Sequence, residues 1–69
     1  MIDRQRLREL VHASGYKQKY LAQALGISPG ALQNKLAGRS EFKLGEAQRL
    51  SFLLGLSPEE QARCFWHLR

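Results

Sequence analysis

The stretch KQKYLAQALGISPGALQNKLAG, Lys17 to Gly38, decides how this chain folds. Leu21, Ala22 and Leu25 lie at i, i+1 and i+4, the spacing that lines one side of a helix with apolar groups. Gly26 follows as a residue able to take the left-handed conformation in which helices end. Ser28 is a ready N-cap for a second helix, and Pro29 occupies its first position, where a missing N–H costs nothing. Leu32 and Leu36 repeat at i, i+4 and aim that second helix at the first. The stretch predicts two short helices joined by a tight turn at Gly26-Ile27-Ser28.

Three further helices are expected around this pair. Ile2 to Ser14 carries Leu7, Leu10 and Val11 on one face, with Asp3 as N-cap, an Ile2–Leu7 staple, and Arg4, Arg8 and Glu9 toward solvent. Ser14-Gly15 closes it. His12 reads as an ordinary helix residue, because nothing beside it completes a site. Residues 44–54 place Leu44, Ala47, Leu50, Leu53 and Leu54 inward and end at Gly55. Ser57-Pro58-Glu59-Glu60 combines an N-cap, a proline at the first helical position and a glutamate three residues after the cap. The apolar residues that follow are Ala62, Phe65 and Trp66, with Cys64 and Leu68 nearby, and most of these fit a core. Phe65, Trp66 and Leu68 alternatively form an exposed patch for self-association through the C-terminal helix. Phe42 reads as an anchor pinning the Gly38–Phe42 loop to the core. With no strand pattern, repeat or linker, the expected fold is all-α, a five-helix bundle in one domain spanning 1–69.

Composition narrows the function. The 69 residues hold one cysteine, so no internal disulfide forms and a reducing, cytoplasmic setting is favoured. No apolar run reaches the roughly 20 residues of a membrane helix, and no hydrophobic segment follows Met1 to Arg6 as a secretory signal would require. His12, His67 and Cys64 make no metal cluster, and no cofactor is implied. Paired carboxylates and nucleophile–base pairs are missing too, which argues against an enzyme.

Charge placement is more informative than its total of +5. Residues 17–43 carry Lys17, Lys19, Lys35, Arg39 and Lys43 against Glu41 alone, a net of +4, whereas residues 44–69 balance to zero. A helix-turn-helix unit bearing this excess points to a polyanion partner. Lys17 and Lys43 also stand where a helix start calls for an accepting side chain, and both put a cation at the positive end of a helix dipole. Helix starts facing phosphates account for both anomalies; lysines extending into water are the alternative. Opposite Leu32 and Leu36, the second helix turns Gly30, Asn34 and Ala37 outward, with Gln33 on one edge and Ala31 and Lys35 on the other. Asn and Gln pair bidentately with adenine in the major groove.

Gln18, Leu21-Ala22, Leu25-Gly26-Ile27-Ser28, Leu32, Leu36 and Gly38, with Leu50, Leu54-Gly55 and Leu56-Ser57, resemble the phage repressor and Cro family of Xre-type helix-turn-helix proteins. The likeness covers residues 4–66, and the Gly38–Phe42 run is similar to small phage and mobile-element regulators. It implies the lambda-repressor-like bundle and a transcriptional regulator that inserts the 29–37 helix into the major groove of double-stranded DNA. The implied contacts are Gln18 bracing the backbone and able to reach a base, Pro29, Gly30, Gln33 and Asn34 near base edges, and the Arg39–Lys43 loop, Ser40 included, on phosphates. Lys17, Lys19, Ser28 and Lys35 are further candidate DNA contacts, Lys17 and Lys43 standing where the family commonly has a helix-entry Thr or Ser. Homodimers on palindromic operators are common among such proteins. Pro29 and Gly30 stand where many members have polar readers, so modest sequence specificity is expected. The chain is Cro-like in size. A protein-interaction module on the same fold, such as an antirepressor or a docking subunit, is the alternative.

Overall fold

The computed structural model describes residues 3–65, which form five α-helices: α1 (Arg4–Ser14), α2 (Gln18–Leu25), α3 (Pro29–Leu36), α4 (Leu44–Leu54) and α5 (Pro58–Phe65). Among the described residues there is no strand. The expected start signals act as read. Asp3 accepts from the Arg6 N–H at 2.8 Å, Ser28 from Ala31 at 3.0 Å, and Ser57 from Glu60 at 3.2 Å. The Glu60 carboxylate pairs with Arg6 on α1, so it works between helices rather than within a cap.

α2 packs against α3 and α4, and α1 against α3, α4 and α5. The shared core is Leu7 and Val11 of α1, Leu21 and Ala22 of α2, Leu32 and Leu36 of α3, Ala47 and Leu50 of α4, and Cys64 and Phe65 of α5. Leu10, Leu25, Leu53 and Leu54 pack partly buried around it. Burial, with the nearby negative charges of Glu60 and Asp3, pushes the Cys64 thiol above its ordinary range, so it behaves as a small hydrophobe. Phe42 pins the interhelical loop as expected, edge-on to Phe65 at 5.3 Å between ring centroids.

Four expectations need correction. Phe65 is a core residue, 6% exposed, and so is not part of a dimer patch; Trp66 and Leu68 lie outside the described residues. Leu44 is 59% exposed, whereas Ala47, in the same turn of α4, is buried in the core. Arg4 does not point to solvent. Its guanidinium lies 5.3 Å from the Phe42 ring centroid, donates to the Cys64 carbonyl at 3.1 Å and pairs with Glu41 at 3.3 Å. Finally, Lys35 is buried. It sits about 80° from the centre of the Leu32/Leu36 stripe, a boundary position, and the Glu46 carboxylate of α4 draws it inward.

Candidate nucleic-acid interface

α2 and α3 meet through a turn that their own backbones close. Gly26 has φ +73°, and the Ile27 N–H reaches the Ala22 carbonyl at 3.0 Å, so α2 ends within one residue and α3 begins at Ser28. This leaves α3 resting on Leu32 and Leu36, with Pro29, Gly30, Gln33 and Asn34 exposed. The Ser28 hydroxyl is occupied by the cap of α3. Gln18 and Gln33 line one open groove of about 520 Å³ together with Arg8, His12, Tyr16 and Ala37. The glutamine at the start of α2 and the one on α3 are therefore neighbours. Arg8, expected to be solvent-facing, donates to the Leu36 carbonyl at 2.9 Å and holds the C-terminal end of α3 against α1.

The two unusual helix starts differ. Lys17 leads into α2 in an extended conformation with no side-chain cap, so the N–H groups of the first turn face outward beside its ammonium. At Lys43 the Glu46 carboxylate accepts the backbone N–H at 3.0 Å and also binds Lys35. Burial alone would raise the Glu46 carboxyl; hydrogen bonds from Lys35 and from the Lys43 backbone, with both ammonium charges, outweigh it and hold it below the usual range. The α4 start already carries a built-in anion, so its lysine anomaly is relieved internally. The α2 start has none.

Ion pairing divides the same way. Arg4, Arg6, Arg63 and Lys35 are paired with Glu41, with Glu9 and Glu60, with Asp3, and with Glu46 respectively. Among the described residues no carboxylate pairs with Lys17, Lys19, Arg39 or Lys43, all of them exposed. Ser40 is exposed on the same loop as Arg39. Sequence reasoning missed Tyr16 and Tyr20, which flank the α2 start, stack at 5.3 Å between ring centroids and are 43% and 49% exposed. Their i, i+4 spacing was the available signal.

A five-helix all-α fold around an exposed α3, with unpaired cations and open N–H groups beside it, defines a DNA-binding helix-turn-helix domain. Residues 4–64 match the family model described as "Helix-turn-helix domain", of the Xre/Cro-like type, and the chain belongs to that family. No curated protein and no solved structure matches it.

Proposed function

We propose that the chain is a transcriptional regulator of the phage repressor and Cro kind, acting as one cytoplasmic domain that lays α3 in the major groove of an operator. The observation that carries this reading is the segregation of charge. Carboxylates neutralise Arg4, Arg6, Arg63 and Lys35, and Arg8 is held by the Leu36 carbonyl, while among the described residues Lys17, Lys19, Arg39 and Lys43 beside the α2–α3 unit lack carboxylate partners. Phosphates supply the missing anions, and the open α2 start adds N–H donors. Gln18, Gln33 and Asn34 lie where base edges would be met, and Ser40 beside the backbone. Lys35, already paired, positions α3 and does not read DNA.

Gly30 supports a close approach. It is exposed, and a Cβ there would meet nothing within 4 Å, so packing does not call for glycine at this point of α3. A bare backbone beside the groove does. A homodimer on a palindromic operator fits this geometry, since two copies place their α3 helices in successive major grooves.

Selection from a randomised DNA pool, followed by binding of the winner and a scrambled control over a salt series, tests the proposal. An enriched palindrome preferred over the scramble is expected, and absence of binding even at low salt would overturn it. The second reading, a protein-docking module, rests on Phe52, which is 84% exposed and shares an open groove with Tyr20 and Leu53. Retention of a protein partner without any DNA retardation would favour it.

A further inference from the structure

Arg39 and Asn34 are tied to each other twice. The Arg39 backbone N–H donates to the Asn34 carbonyl at 2.9 Å, part of the reversal that Gly38 makes at φ +83°. The Arg39 Nε–H donates to Asn34 Oδ1 at 3.1 Å. The first bond sets where the Arg39 side chain begins and brings it within reach of Asn34.

That pairing changes what Asn34 presents. A free asparagine offers one acceptor and one donor side by side, the pattern that matches adenine's N6 amino group and N7. Here Arg39 takes one of the two lone pairs of Oδ1, and the pair together adds the Asn34 amide NH₂ and the Arg39 guanidinium Nη groups, so that donors outnumber acceptors. Guanine's major-groove edge consists of two acceptors, N7 and O6; adenine and cytosine place an amino donor there. Two acceptors suit such a donor-rich unit best, and an amino group set against it leaves donors facing each other, which costs affinity.

We infer that Asn34 and Arg39 form one composite reader that selects guanine, and that Arg39 determines sequence preference in addition to adding charge. This inference rests on the operator-binding reading above and sharpens it, because the sequence alone pointed Asn34 at adenine and Arg39 at phosphate.

The test compares the full chain with its Asn34→Ala and Arg39→Ala variants in selection from one randomised duplex pool. Both residues are exposed, so the fold is retained, and a thermal melt checks it. The base position whose preference Asn34→Ala flattens should be guanine in the parent. Arg39→Ala frees Oδ1 and should move that same position toward adenine by about tenfold, within the range of a bidentate contact. Adenine at that position in the parent overturns the inference. So does an Arg39→Ala variant that loses affinity equally for all sequences, or an Asn34→Ala variant that flattens no position. Each of these leaves operator binding intact, whereas no retarded DNA at low salt removes the underlying reading itself.

Discussion

The α1–α5 side of the bundle and the α2–α3 unit use their charged residues in opposite ways. Along α1 and α5, Arg6 bridges Glu9 and Glu60, Arg63 meets Asp3, and Arg4 spans Cys64 and Glu41. Each cation is used inside the molecule. Around α2 and α3, Lys17, Lys19 and Arg39 have no carboxylate partner. Net charge therefore says little about which face meets a polyanion, since the arginine-rich N-terminal helix is locally satisfied and the adjoining helices are not.

The largest expected effect would break this contrast. Replacing Lys17, Lys19 and Lys43 together with Gln should make the dependence of log K on log salt shallower by close to three phosphate contacts. That corresponds to roughly 500-fold weaker binding at 0.1 M salt, from about eightfold per contact relative to 1 M. Arg6→Gln with Arg63→Gln, which removes three ion pairs of the other side, should leave that slope unchanged and lower stability only slightly. Equal slopes in the two sets, read by fluorescence anisotropy over a salt series, would dissolve the distinction between the faces.

A mid-sized effect is expected at the one cation of the unit that faces inward. Lys35→Ala leaves Glu46 with half its partners in a site where both side chains are nearly buried. The cost should be about 2–3 kcal/mol, below the roughly 3–5 of a fully buried pair, measured by urea unfolding. The parent protein should show the matching acid dependence. Because the folded-state carboxyl of Glu46 lies below its ordinary range, its contribution is complete above the unfolded value of about 4.3 and is lost as pH falls through the depressed one. A Lys35→Ala variant that shows the same loss of stability below about pH 4 as the parent would assign the acid sensitivity to other groups.

Lys35 and Arg4 also show where sequence reading stops. The helices, their caps and the α4 limits were legible because apolar spacing, N-cap residues and terminal glycines act within a few positions of each other. Long cationic side chains at the edge of a stripe have no local rule. Arg4 is placed by Glu41 and Cys64, 37 and 60 positions away in the chain, and Lys35 by a carboxylate that also serves the α4 start. Phe65, readable both as core and as exposed patch, takes its place from Phe42 on the distant loop, edge-on at 5.3 Å between ring centroids. On α3, the exposure of Gln33 and Asn34 was legible from their distance round the helix from Leu32. The engagement of Asn34 by Arg39 was not, because it depends on a left-handed residue at Gly38 folding the chain back.

The smallest effect separates stability from binding at a single atom. Gly30 lies in the first turn of α3 with ordinary helical backbone and open space where a Cβ would go. Gly30→Ala removes the conformational freedom that glycine contributes to the unfolded chain, so the variant should be more stable by roughly 0.5 kcal/mol. If α3 enters the groove backbone-first at this point, the added methyl meets DNA, and affinity should fall severalfold while the melting temperature rises. Opposite signs in the two measurements are informative because no loss of folding can produce them. A gain in stability with unchanged affinity would move the closest approach of α3 away from Gly30 and toward Gln33 and Asn34, leaving recognition to side chains alone.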